Sequence, residues 1–321
     1  MLKRISVLVL LLSMTSIGPS LAQEWPSKKA IRIIAVFPPG GSVDQVARIL
    51  APILQAELKQ NIVVENIGGA SGVIGTTAVA RAPADGYTFY YATTAAMVTN
   101  VFTFKALPYD PEKDFVAVSQ ANSYEFGVAV GAGVPVRELN HLLAWLRANP
   151  QQANFGVPAT GSLPHFFGLM VGEKAGVKAQ VVGYRGSGPL ATDLMGGQVP
   201  VAFDTFDTLL PLHEAGKTRI LAVSSARRSP FAPAIPTFRE AGLDISADGW
   251  NTFFAPASTP TARVEQLGQA IREVMQDPDT VKRFQDARMR PVASTPAQTR
   301  ASLAAYRAQW APVVQTSGYQ P

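Results

Sequence analysis

The stretch Phe37 to Asp44, FPPGGSVD, joins an apolar run, IRIIAVF, to an amphipathic run that begins at Ser42. Few folds accept such a junction. Ile31 to Phe37 is hydrophobic at nearly every position, the pattern of a parallel strand buried on both faces. Pro38 and Pro39 stop it. Gly40 and Gly41 then allow positive φ or close approach of a ligand, and Ser42 or Asp44 is expected to cap the following helix, Ser42 being the neater position. In α/β sheets the mouth at a strand end is where ligands bind, and a helix N-terminus there carries about half a positive charge that favours an anion. An ordinary glycine-rich βα turn looks the same in isolation.

The rest of the chain repeats the device. Ile62 to Glu65 reads as a strand running into the turn Asn66 to Gly72 and a helix from Val73 to Arg81. After the tight-turn pair Asp85-Gly86, Tyr87 to Ala92 is a third strand, ending in Thr93-Thr94-Ala95-Ala96. A doubly wound sheet would gather these three ends on one edge. Beyond the proline-braced loop Leu107 to Pro111, Phe115 to Ser119 and Tyr124 to Val130 read as strands crossing into a second domain. There the scheme recurs: helix 136–149, strand 154–157, turn Pro158 to Ser162, helix 163–175, strand 179–182, turn Gly183 to Gly188 and helix 189–195. Strand 199–203, turn Asp204-Thr205, a helix through Ala215 and strand 220–224 complete it. Ser229 to Pro236 is a proline-rich connector. Trp250 to Ala255 reads as a strand crossing back, followed by long amphipathic helices at 261–276 and 296–315. Two α/β lobes joined by two crossing strands leave a cleft between them, the layout of a hinge clamp.

Met1 to Ala22 stands apart. Lys3 and Arg4 precede an apolar run, and Ser20-Leu21-Ala22 sets small residues at the positions a signal peptidase reads, so cleavage after Ala22 and export to the periplasm are expected. No other apolar run approaches the ~20 residues that span a bilayer. The absence of cysteine excludes both a lipid anchor at the cleavage site and disulfides. Burial alone must hold the chain, and a sequence that is 47% hydrophobic, with 299 residues after the leader, suffices, at a length suggesting two domains. Without the leader the net charge falls from +5 to +3, and no clustered basic patch of the kind nucleic acid needs is present.

GxGxxG, GxxxxGK[ST], GxSxG and HExxH are all missing, so the dinucleotide, phosphate-loop, hydrolase and zinc readings lack their signatures. His141, His165 and His213 show no ligand spacing, and neither a metal nor a cofactor is expected. Ser162, His165 and Asp204 can be drawn as a triad, but a Ser at a helix start and an Asp at a strand end are commonplace caps. Asp44 has two readings: a first-turn carboxylate offsetting the helix dipole, or a group accepting from a ligand ammonium, hydroxyl or bridging water. Arg185, the one full positive charge inside a glycine turn, either pairs a ligand carboxylate or forms a surface ion pair worth little. The four tryptophans read as packing residues, with Trp250 alone near a crossing strand.

With these residues in view, the chain resembles the Bug-type solute receptors, the extracytoplasmic substrate-binding components of bacterial tripartite tricarboxylate transporters. The likeness runs in order through WPSKKAIRIIAVFPPGGSVDQVAR, VVENIGGASGVIGTTAVARAPADGYT, LPYDPEKDF, NFGVPATGSLPH, YRGSGPLATDLMGGQVPVAFD, AGKTRILAVSSARRSP and APASTP. Pro39 stands where the family often has alanine, and Gly183 where a proline usually precedes the Tyr-Arg-Gly turn. The resemblance implies an α/β, two-lobe clamp of the periplasmic-binding-protein type II kind, with two mixed or parallel sheets flanked by helices. Lobe 1 would comprise residues 23–122 and 249–321, and lobe 2 residues 123–248. It implies a small carboxylate or similar polar solute held by backbone amides, hydroxyls and waters. Carried over motif by motif, the ligand-binding residues would be Pro39, Gly40, Gly41, Asp44, Ala70, Ser71, Gly72, Thr93 and Thr94 from the first lobe. The second would supply Thr160, Gly161, Ser162, His165, Tyr184, Arg185 and Asp204. A monomer delivering its ligand to membrane transporter subunits is expected, without catalysis. The alternatives are a sensor presenting its closed form to a signalling membrane protein, and an exported hydrolase or isomerase using Asp44, His165 or Asp204 as general base.

Overall fold

The computed structural model describes residues 25–131 and 133–321; the leader and its cleavage point lie outside these. In chain order the elements are β1 (Ile31–Ala35), α1 (Ser42–Leu58), β2 (Ile62–Asn66), a short turn Ala70–Gly72, α2 (Val73–Ala80) and β3 (Thr88–Thr93). A π-helical turn, Ala95–Thr99, leads into α3 (Asn100–Thr103) and β4 (Phe115–Val130). Then come α4 (Leu139–Ala148), β5 (Asn154–Val157), α5 (Leu163–Ala175), β6 (Gln180–Gly183), α6 (Ser187–Met195), β7 (Val201–Thr205), α7 (Phe206–Glu214) and β8 (Arg219–Val223). The chain closes with β9 (Asp248–Pro256), α8 (Thr261–Val274), α9 (Pro278–Asp286), β10 (Arg290–Pro291) and α10 (Pro296–Ser317).

Among the described residues the strands form one curled path, β2-β1-β3-β9-β4-β7-β5-β6, with β8 and β10 also on β4. The two expected sheets are thus joined through a shared strand. Pairing is parallel for β1 with β2 and β3, and for β5 with β6 and β7; β3–β9, β4–β9, β4–β7 and β4–β8 are antiparallel. The sheet is therefore mixed.

The expected strands at 115–119 and 124–130 are one. The polar interval between them stays paired with β9 across two register shifts, with Gln120 opposite Thr252, Asn122 opposite Asn251 and Ser123 opposite Trp250. Its polarity is absorbed inside the sheet, since Asn122 Oδ1 accepts from the Tyr91 hydroxyl at 2.7 Å and from Asn251 Nδ2 at 3.1 Å. Buried polar groups so paired cost little. Strand β9 does not itself cross back: it begins with Asp248 opposite Glu125 and runs between β3 and β4.

Alternation explains the core. In β1, Ile31, Ile33 and Ala35 face a cluster with α1 and α8, while Ile34 packs on the other side; in β3, Phe89 and Tyr91 oppose Tyr90 and Ala92. Strands buried on both faces need hydrophobics at nearly every position, and β1 departs from this only at Arg32, which is exposed and pairs with Glu65 of β2. Helix α10 packs Trp310 edge-on to Phe126 of β4, ring centroids 6.2 Å apart. No helix among the described residues is long and apolar enough to cross a membrane.

Candidate functional site

The C-terminal ends of β1, β3, β5, β6 and β7 converge on a cleft, and the turns that leave them line a cavity. One wall is Phe37 to Val43, Thr93 and Ala95, with Tyr124 of β4 and Asn251 of β9; the other is Pro158, Ser162 to Pro164, Arg185 to Pro189, and Asp204-Thr205.

Four helices, α1, α5, α6 and α7, point their N-termini into this one cavity. Only α5 has a side-chain cap: Ser162 Oγ accepts from His165 N–H at 3.4 Å. The expected cap of α1, Ser42, is instead its first helical residue, and the cap position belongs to Gly41, which has no side chain to offer. Gly186 caps α6 in the same empty way, and Thr205 makes no side-chain cap bond for α7. First-turn amides of three helices are therefore left for something else, and aligned peptide dipoles make that something an anion.

Asp44 works beneath this wall. Its carboxylate accepts from Gly40 N–H at 3.0 Å, Arg48 Nε at 2.9 Å and Asn66 Nδ2 at 2.9 Å. Burial alone would raise its pKa, but these bonds outweigh burial and hold it below the ordinary carboxylate range. Asn66 also donates to Phe37 O at 3.0 Å, so the two side chains brace the PPGG turn from behind.

A second cavity shares Phe37, Pro38, Pro158, Arg185 and Gly186 with the first. Its floor is a left-handed turn: Gly69, Ala70, Ser71 and Gly72 have φ of 124°, 46°, 52° and 87°. Ala70 and Ser71 hold this conformation at a cost of about 1–3 kcal/mol each. The turn is secured by Asn100 Nδ2, which donates to Ser71 O at 3.2 Å, and by the Ser71 hydroxyl, which donates to Thr160 O across the cleft. Tyr319, just past α10, lines this cavity and meets the His165 ring edge-on at 4.7 Å.

Of the residues singled out in the sequence, Pro39, Gly40, Gly41, Thr93, Ser162, Arg185 and Asp204 line the first cavity. Ala70, Ser71, Gly72, Thr160 and Tyr184 line the second, together with Arg185. Asp44, Thr94, Gly161 and His165 line neither. Thr94 ties β3 to β9, its hydroxyl donating to Trp250 O and accepting from Trp250 N–H, both at 3.0 Å. His165 Nδ1 accepts from Gly161 N–H at 2.8 Å, and burial pushes its pKa down to about 4, so the ring is a neutral brace of the Pro158 to Ser162 turn. The triad does not assemble, since the Ser162 hydroxyl donates to Ala159 O at 2.7 Å.

Sequence reasoning passed over Tyr124, Asn251, Ser187 and Thr205 in the first cavity and Tyr319 in the second. Ser187 sits in the flagged Gly-Ser-Gly turn. Tyr124 and Asn251 lie within strands, where no turn signal marks them.

Asp204 is 2% exposed, and Oδ1 accepts from Thr205 N–H at 2.7 Å. Burial pushes its pKa up to about 7, against weaker opposition from Ser187, Thr205 and Thr208. Burial likewise pushes neighbouring Asp207 up to about 6.

Comparison with known proteins agrees with this geometry. A family described as "Tripartite tricarboxylate transporter family receptor" matches residues 46–319. Protein BugT of Bordetella pertussis is 34% identical over 303 residues, covering 94% of this chain and 93% of its own. Among solved structures, that of R. palustris Rpa4515 with adipate superimposes with a TM-score of 0.89 at 31% identity, covering 93% of this chain and all of that one. MatC from Rhodopseudomonas palustris with bound malate gives 0.84 at 26% identity, covering 89% and 99%.

Proposed function

The chain belongs to the tripartite tricarboxylate transporter receptor family, and from that premise we propose that its cleft captures a small organic carboxylate in the periplasm and hands it to the membrane subunits of such a transporter. The leader directs export and is removed after Ala22. The single observation that carries the ligand class is the convergence of four helix N-termini on one cavity, three of them without a side-chain cap. A carboxylate there collects charge-assisted hydrogen bonds from amides of both walls, each worth about 1.5–3 kcal/mol net.

Apart from Tyr124, at the junction of the two, the first wall belongs to lobe 23–122 plus 249–321 and the second to lobe 123–248, and the lobes close on the ligand. Only the closed state supplies donors from both sides, so ligand shifts the hinge equilibrium by its differential affinity for the two states. Gly40, Gly41, Thr93, Ser162, Arg185 and Asp204 touch the ligand directly; Asp44 and His165 hold the turns that do. No chemical step is assigned, because the Ser162 hydroxyl serves α5 and His165 serves Gly161 N–H.

The adipate and malate held by the two structural relatives make those dicarboxylates the first probes. A thermal-shift screen of the mature protein against acetate, malate, adipate, benzoate, nicotinate and a set of amino acids tests the reading. Binding raises stability by RT ln(1 + [L]/Kd), about 2.7 kcal/mol at a hundredfold excess over Kd. A shift with one carboxylate class is expected; no shift with any compound would overturn the proposal.

A further inference from the structure

The first cavity is built for an anion yet has an acid in its wall. Asp204 and Arg185 are its only charged lining residues among those described, and Arg185 is exposed. Among the described residues no cation lies within ion-pairing distance of Asp204, whereas Asp44, at the back of the opposite wall, has Arg48.

The groups facing Asp204 deepen the contrast. From α7 comes Asp207, 6% exposed, both of whose carboxylate oxygens are buried without a hydrogen-bond partner. From β4 comes Tyr124, a neutral phenol whose pKa burial raises further. From α6 comes Ser187, whose side chain bonds the Asp204 carboxylate. Among the described residues, no cationic side chain stands in this shell.

We propose that carboxylate capture by this cleft takes up one proton, held on Asp204, so that the ligand is a carboxylate without an ammonium group and binds more weakly as pH rises. The inference rests on the carboxylate reading of the cleft. Two carboxylates sharing a dehydrated cavity do not both ionise unless a cation intervenes. The four half-charges at the helix ends sum to about two positive charges, which a dicarboxylate such as malate or adipate uses in full, and Asp204 meets it as an acid that donates a hydrogen bond. Since burial already places the free acid near neutrality, a bound anion carries it above. Apparent affinity is then flat on the acid side and falls tenfold for each pH unit above about 7, until the ligand-bound form itself titrates. An amino acid would reverse the sign, because its ammonium would pair with ionised Asp204 and gain as pH rises.

The test is isothermal titration of the mature protein between pH 6.5 and 8.5, in buffers of different ionisation enthalpy, with whichever of acetate, malate, adipate, benzoate or nicotinate gives the largest thermal shift. Near one proton taken up at pH 8, and a Kd that rises about tenfold from pH 7.5 to 8.5, are expected. Asp204→Asn, which keeps shape and removes the titration, should bind the same probe with a Kd independent of pH. A flat profile with no buffer-dependent enthalpy in the wild type would overturn proton uptake while leaving the receptor reading intact. A slope that survives in Asp204→Asn would move the proton elsewhere and overturn the assignment. If none of the five probes binds at any pH, both readings fall together.

Discussion

The hydroxyl of Ser71 donates to the carbonyl of Thr160, 89 residues away on the facing wall of the cleft. It is a latch, made by a residue held at positive φ. Ser71→Ala removes the latch while keeping the turn; a neutral hydrogen bond of this kind contributes about 0.5–1.5 kcal/mol. Ligand affinity should fall about two- to tenfold by isothermal titration. Ser71→Gly should lose as much affinity yet melt higher than the alanine variant, because glycine relieves the left-handed backbone.

Gly41→Asp separates stability from binding. A Cβ at this position meets open space, and its φ of −88° suits any residue. The new carboxylate caps α1 and suits its dipole, which should leave melting unchanged or slightly raised. It also occupies the amides meant for the ligand and places a fixed negative charge beside them. Carboxylate affinity should drop by at least about a hundredfold, a combined loss of two charge-assisted bonds.

Asp44→Ala should weaken a ligand it does not touch. Three donors, including Gly40 N–H, lose their acceptor, at a cost of about 1–3 kcal/mol in urea unfolding. Because the folded-state pKa of Asp44 lies below the ordinary value, this stabilisation is present above about pH 4 and lost as pH falls through the folded value. The wild type and the variant should therefore converge in stability under acid.

Stability of the ligand-free protein carries the opposite signature from Asp204 and Asp207. Both have folded pKa values raised by burial, to about 7 and about 6. Their contribution is complete below about pH 4 and is lost as pH rises through those values. Asp204→Asn should melt on the order of 5 °C above wild type at pH 8 and no higher at pH 4. His165, pushed down to about 4, contributes above about pH 6.5 and loses its contribution as pH falls toward 4.

Arg185→Ala should leave melting unchanged, because the side chain is exposed and has no ion pair or hydrogen bond among the described residues. Affinity should fall several-fold, and most of the difference should vanish in 0.5 M salt, where an exposed charge is screened.

The βα units of this fold were legible because each strand, turn and helix carries its own local signal. Helix α5 begins and ends where its Ser162 cap and Gly176 stop predict. What local signals do not carry is pairing across long separations. The polar interval 120–123 looked like a break because its partners, Tyr91 and Asn251, lie far off in sequence. Helix α9 was overlooked although Asp277 caps it through Thr280 N–H at 2.9 Å and its Phe284 is buried.

At the site the turns were readable and the strand faces were not. Glycine and hydroxyl residues mark a turn wherever it occurs, whereas Tyr124 and Asn251 face the cavity through β4 and β9, whose alternation says which side they occupy but not what lies there. Ser42 illustrates the converse. The usual preference for a hydroxyl cap pointed one residue too far, since a glycine at the cap leaves the amides open, and an anion site requires them open.

Strand β4 pairs with β9 through its first part and with β7 and β8 through its last, without a loop between. A rotation of one wall against the other must therefore twist a continuous hydrogen-bonded ribbon, already irregular near Ala117 to Asn122. Such a joint behaves as a torsion spring rather than a free pivot. If the lobes close as proposed, this joint has a rest angle and a restoring torque, cargo release would be followed by passive recoil, and the stiffness of sixteen residues of strand, not the length of a linker, would set how far the jaws travel.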